Sequence, residues 1–280
     1  MICNFNGMEI FKKMIVPVSS EFFPEKAVVE TKKLSEIFGS EVIILYIIEK
    51  KTLKKFEMAS NTFFTYQQKK NFEEKLIKEQ KEIATDIIKK RIRSNIKKFE
   101  EKVVVGEYSE EIEKAIEDYK ATIVVTEFEK WNVLKYRLLE KLKLPIWVAA
   151  GGGDVVVGAC SNLAPNVKVP KFVKDFSDIT NHKAILLYII DIEDRVLVNE
   201  NGEKVKASID ELRSNAKKFA ERYEKVEIRE GIFEEELVKF ADEVNAGLVV
   251  IGREMKKRSM NREVRKDIAE NIHHSVLFLN

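Results

Sequence analysis

Two stretches of twenty residues in this chain align without a gap, "GEYSEEIEKAIEDYKATIVV" from Gly106 and "GIFEEELVKFADEVNAGLVV" from Gly231. In both, apolar residues fall at i, i+3, i+4 and i+7: Ile112, Ala115, Ile116 and Tyr119 in one, Leu237, Phe240, Ala241 and Val244 in the other. That spacing makes a single apolar helix face leading into an apolar strand. A shorter echo supports it. "IILYII" at Ile43–Ile48 returns as "ILLYII" at Ile185–Ile190, each followed by a carboxylate, Glu49 or Asp191. A chain of 280 residues has room for two domains with separate cores. The repeat therefore predicts two copies of one unit.

The first copy, residues 11–150 after an N-terminal extension over 1–10, reads as alternating strands and helices. A strand at Lys13–Val18 leads to a helix over Pro24–Phe38, with Pro24 suited to a first turn and Gly39 to the residue after a helix end. A strand over Glu41–Ile48, a long polar connection and a helix over Phe72–Arg93 follow, the helix carrying Leu76, Ile83 and Ile87 on one side. Then come "KVVVG", the repeated helix, "TIVV", a helix around Asn132–Lys143 and "PIWVA". Gly151–Gly153 form the natural linker. The second copy, 154–280, supplies "DVVVGA", "KAILLYII", "KVEIRE", "AGLVVIG" and "SVLFLN", with Pro165 and Pro170 expected to shorten or distort its first helix. The fold class that follows is α/β: two tandem, doubly wound, five-strand parallel sheets with helices on both faces.

Composition narrows the function classes. Apolar runs of about seven residues fall far short of a membrane span, and the N-terminus lacks the pattern of a secretory signal, so a cytoplasmic location is expected. Cys3 and Cys160 are too far apart in sequence for a zinc or redox motif. The 49 basic and 47 acidic residues nearly cancel, which argues against a dedicated nucleic-acid protein. Abundant Lys, Glu and Ile is a composition common in proteins of heat-loving organisms.

The order of elements, with "KKMIVPVSS", "VIILYIIE", the two repeated segments and "KLKLPIWVAA", resembles the universal stress protein family over about Phe11–Asn280. The resemblance implies an adenine nucleotide alpha hydrolase-like fold. In nucleotide-binding members, it also implies an aspartate ending the first strand and a glycine-rich loop after the fourth. Glycines let backbone N–H groups reach phosphate oxygens, and a helix N-terminus adds partial positive charge. This chain departs from that pattern. Ser19 and Ser161 stand at the aspartate position. Glu127 stands at the first glycine, with Glu129 beyond it and Pro145 only 18 residues on. The second copy keeps Gly252 but has Met255, Arg265 and Lys266 where later glycines and a hydroxyl belong.

The resemblance thus implies a noncatalytic stress-response or regulatory protein. Nucleotide binding is expected to be lost in the first copy, since carboxylates repel phosphate, and doubtful in the second. Should a ligand remain, its candidate residues are Ser161, Gly252, Arg253, Lys256, Lys257, Arg265 and Lys266, and ATP or AMP the candidate cofactor. A basic loop over 253–266 contacting nucleic acid is a further alternative; so is a run of charge that merely solvates a helix. No Walker, GxSxG or HExxH pattern marks a catalyst. His182, His273 and His274 have no metal-ligand spacing, and Cys160 reads as a buried thiol. Trp147 is expected to pair the two domains through their closing strands, with a homodimer or an unidentified protein as further partners. Trp131 is expected to help cover the space left by the missing phosphate loop, and the aromatic segment 50–70 either to be a lid or partner-binding arm or to fold back on its own domain.

Overall fold

The structure is a computed structural model that describes residues 9–54, 66–127, 138–139, 141–253, 268 and 271–280. It divides into two compact units, one built on Phe11–Glu127 and the other on Lys143–Asn280. Among the described residues no helix is long and apolar enough to cross a membrane.

The first unit runs β1 (Lys13–Ser19), α1 (Glu25–Phe38), β2 (Glu41–Glu49), α2 (Tyr66–Ile87), β3 (Glu100–Gly106), α3 (Tyr108–Tyr119) and β4 (Ile123–Thr126). Its sheet order is β4-β1-β2-β3, all parallel. Apolar side chains on both faces are what allow this: in β2 every residue after Glu41 is buried, as a sheet covered on both sides requires. Helix α1 follows Pro24 and ends at Gly39, whose φ of 63° is left-handed. Helix α2 continues into a wider turn at Ile88–Ile92. Its inward face differs from the expected one: Leu76, Ala84 and Ile88 are buried, whereas Ile83 is 47% exposed. The expected helix at Asn132–Lys143 and the segment 55–65 lie largely or wholly outside the described residues.

The second unit contains β5 (Ile146–Val148), β6 (Val155–Ser161), α4 (Lys168–Thr180), β7 (Lys183–Asp191), β8 (Val196–Val198), β9 (Lys204–Lys206), α5 (Ile209–Ala220), β10 (Val226–Gly231), α6 (Phe233–Glu243), β11 (Ala246–Gly252) and β12 (Ser275–Leu279). Its sheet order is β10-β7-β6-β11-β12-β5. All neighbours are parallel except β5, which runs antiparallel to β12 with Trp147 opposite Leu277. The closing strand of the first copy thus belongs to the compact unit of the second, and Trp147, 2% exposed, packs 6.0 Å from Phe176 on α4.

Two local features depart from expectation. Pro170 does not shorten α4: the helix begins at Lys168, which puts the proline in the first turn, where its missing N–H would have had no helical partner. A small antiparallel hairpin, β8–β9, was not expected. Its turn closes on Asn199, whose Oδ1 accepts the N–H of Asn201 (3.0 Å) and of Glu203 (2.9 Å), with Gly202 at φ 81°.

The glycine run is packed rather than loose. A Cβ on Gly152 would lie 2.1 Å from the Ala246 carbonyl oxygen, and one on Gly247 2.0 Å from that of Gly153. Gly247 is also the extra residue where the β11–β6 register shifts, a bulge that only a close backbone approach makes possible here.

Exposed arginine forks tie β10 to its helices. Arg229 is bidentate to Glu243 at 3.0 and 2.7 Å, and Arg213 to Glu230 at 2.7 and 2.9 Å. The arginines hold both carboxyls below the usual glutamate range. A lowered folded value means the contribution is present above the ordinary pKa and is lost as pH falls through the folded one. The double variant Glu230→Gln/Glu243→Gln should therefore lose less urea resistance than the parent on acidification from about pH 5 to pH 3. Equal acid sensitivity of the two would refute that role.

Candidate functional site

In open parallel sheets the ligand crevice lies beyond the carboxyl ends of the strands, where the strand order reverses. In the second unit that point falls between β6 and β11. A small crevice of ≈ 20 Å³ is present there, lined by Asn166, Val167, Lys168, Val169, Gly252 and Arg253 among others. It sits at the N-terminus of α4, which carries no side-chain cap. Gly252 faces Val169, and a Cβ placed on it would meet Cγ2 at 3.5 Å, an ordinary contact. A bare backbone here leaves room without being forced by the fold. Arg253 is held by two bonds, its N–H to the Leu279 carbonyl at 2.7 Å and its Nη1 to Asn280 Oδ1 at 3.0 Å.

Ser161 lies beneath the crevice, fully buried. Its hydroxyl accepts the Leu163 N–H at 2.9 Å. Its backbone N–H donates to Asn166 Oδ1 at 3.0 Å and its carbonyl accepts from Asn166 Nδ2 at 2.7 Å. The sequence reading missed Asn166 as the organising residue of this turn. An asparagine directly after Pro165 is the signal, since asparagine tolerates the left-handed conformation found here, φ 56°, and bonds to nearby backbone. Of the candidate residues, Gly252 and Arg253 come together at the crevice, with Ser161 one layer below. Lys256, Lys257, Arg265 and Lys266 lie outside the described residues, as do Glu129, Trp131 and Met255.

The matching point of the first unit is filled from within. Helix α1 has no capping side chain of its own, because Pro24 occupies the cap position. Glu127, just beyond β4, supplies one: its Oε2 accepts the Lys26 N–H at 2.8 Å. A carboxylate at this place takes one of the unpaired donors of the helix start and meets the positive end of its dipole. Around it the polar groups are engaged with one another. Ser19 Oγ donates to Glu49 Oε1 and accepts the Glu21 N–H at 3.0 Å. Lys51 bridges Glu49 at 2.9 Å and Glu21 at 2.8 Å. Burial works against the Lys51 ammonium, but the two carboxylates outweigh it and raise its pKa.

Asp191, the counterpart of Glu49, is fully buried and serves the backbone. Its Oδ1 accepts the N–H of Glu193 (3.1 Å) and of Asp194 (2.8 Å), and its Oδ2 that of Phe233 (3.1 Å), the first residue of α6. Asn162 completes the knot. It accepts the Asp191 N–H at 2.7 Å and donates to the carbonyls of Asp194 (3.1 Å) and Val196 (2.9 Å). The hairpin is moored to the same residue through Val198 N–H and the Asn162 carbonyl at 3.1 Å.

Other candidates resolve into packing. Burial pushes the Cys160 thiol up, away from the thiolate that reactivity requires. Among the described residues no three His, Cys, Asp or Glu side chains form a cluster able to hold a metal ion. His274 Nε2 lies 2.9 Å from Asp242 Oδ1, a pairing of β12's approach with α6.

Solved structures share this architecture. One from Pseudomonas aeruginosa UCBPP-PA14, provisionally classed with the universal stress proteins, aligns over 98% of this chain and 95% of its own with TM-score 0.63 at 12% identity. A universal stress protein from Archaeoglobus fulgidus DSM 4304 aligns over 95% and 96% with TM-score 0.60 at 13% identity. The fold is thus the mostly parallel α/β, adenine nucleotide alpha hydrolase-like one. The model of the Universal stress protein family matches this chain over residues 10–141, a little under half of its length. No curated protein sequence matches it.

Proposed function

We propose that the chain is a noncatalytic, cytoplasmic binding or regulatory protein of the universal stress protein type whose first copy has given up nucleotide binding. The observation that carries this reading is the Glu127 carboxylate on the Lys26 N–H. An anion approaching the start of α1 meets a resident negative charge and a donor already in use. A second reading is favoured by the crevice at Gly252: the second copy holds a phosphorylated ligand such as ATP or AMP. Arg253 and the N-terminus of α4 are suited to such an anion, as is the basic sequence that continues to Lys266. A nucleic-acid contact through 253–266 is a weaker variant of the same idea, and salt-dependent duplex binding tests it.

Titration with ATP and AMP, read by calorimetry and by thermal shift, separates these readings. A site with a Kd near 10 µM gives about 2.7 kcal/mol of stabilisation at 1 mM ligand. The expected stoichiometry is at most one per chain. Any binding should disappear in Gly252→Glu, which writes the first copy's residue into the second, and survive Glu127→Ala. Two nucleotides per chain, or binding retained by Gly252→Glu and lost in Glu127→Ala, would overturn the proposal.

A further inference from the structure

At the opposite end of the first unit's sheet, where β1, β2 and β3 begin, a groove of ≈ 710 Å³ opens between the end of α1 and the segment leading into β3. Its size is within the range of small-molecule sites. The lining is of two kinds. Val42, Ile43 and Ile96, all buried, join Phe99 as an apolar floor. Lys32, Lys97 and Lys98 stand on the rim, and among the described residues none of the three lies in an ion pair with a carboxylate. Lys13 is neutralised by Glu41 at 2.7 Å, which leaves Glu36 and Glu100 as the rim's remaining carboxylates.

Two further observations favour an anionic group. The Glu41 carboxyl is held below the usual range, first by Lys13 and then also by Lys12 and Lys98, so Lys98 acts on this part of the rim. The hydroxyl of Ser40, also in the lining, is buried and has no partner among the described residues. Such a group costs stability unless something bonds to it. An apolar floor with cations and a spare hydroxyl at its edge suits a molecule that has a hydrocarbon body and one charged end.

We propose that this groove binds a small amphipathic carboxylate, its hydrocarbon part on Val42, Ile43, Ile96 and Phe99 and its charged end among Ser40, Lys97 and Lys98. The site is independent of the strand-end crevices and of any nucleotide.

The full-length chain titrated with sodium octanoate tests this, with 1-octanol as the uncharged body and inorganic phosphate as charge without a body. Octanoate should bind one per chain and shift the amide resonances of Ile43, Ile96 and Phe99, with octanol and phosphate each weaker by about tenfold or more. Lys97→Glu/Lys98→Glu changes only exposed side chains and should weaken octanoate by about tenfold or more. Ser40→Ala should weaken it with no loss of thermal stability, and Gly252→Glu should leave it unchanged. Absence of octanoate binding, octanol or phosphate binding equal to it, or indifference to the lysine reversal would overturn the proposal.

Discussion

Replacing Asp191 by alanine should lower the stability of the second unit by about 4 kcal/mol, because three backbone donors lose a buried charged acceptor at once. Each of those donors sits at a joint. Glu193 and Asp194 begin the connection after β7, and Phe233 begins α6. Asp191→Asn keeps an oxygen but not the charge, and should cost about half as much. Trp131→Phe leaves Trp147 as the single tryptophan, since the chain has two, and its fluorescence then reports on the second unit during urea unfolding. A loss below about 1 kcal/mol for Asp191→Ala would mean that water replaces the carboxylate without penalty, contrary to the buried site described.

Trp147→Ala should be comparably damaging, at about 3–5 kcal/mol. The strand that carries it has three residues and pairs with β12 at three positions, so its side chains matter to its retention. Burial of the indole against Phe176 adds to that pairing. Trp147→Phe should recover most of the loss, because a ring in the same place still covers α4. Circular dichroism across a urea series measures both variants. Near-parental stability of Trp147→Ala would show that β5 is held by something other than its side chain.

The sheets were legible because their strands are buried on both faces and so read as short apolar runs between helices of matching period. The paired helices α3 and α6 were legible from spacing alone: Ile112 and Ala115 are buried in one, and Leu237, Phe240 and Ala241 in the other. The inward face of α2 is hard to read from the sequence because Ala84 is too small to stand out beside Ile83, yet it is Ala84 that is buried. The β8–β9 hairpin has a sequence signal in "NENGE" between alternating valines, but the first copy carries no counterpart to it. The candidate site was half legible. Gly252 and Glu127 were identified as differing ends of one repeat, but the bond from Glu127 to Lys26 spans 101 positions, and no local pattern encodes it. Asn162 and Asn166 do their bonding through turns whose shape depends on where β7 and the hairpin lie.

The triple glycine also acquires a meaning that a spacer would not have. With Gly152 and Gly153 set backbone to backbone against Ala246 and Gly247, the junction of the two copies is a seam with no slack. Adding flexible residues there would not lengthen a tether; it would pull the bulge of β11 out of register. A chain severed at the glycines would also strand β5 on the wrong fragment. The glycines expected to separate two copies thus lie inside one compact unit, Lys143–Asn280, and a cut there divides that unit instead of releasing it.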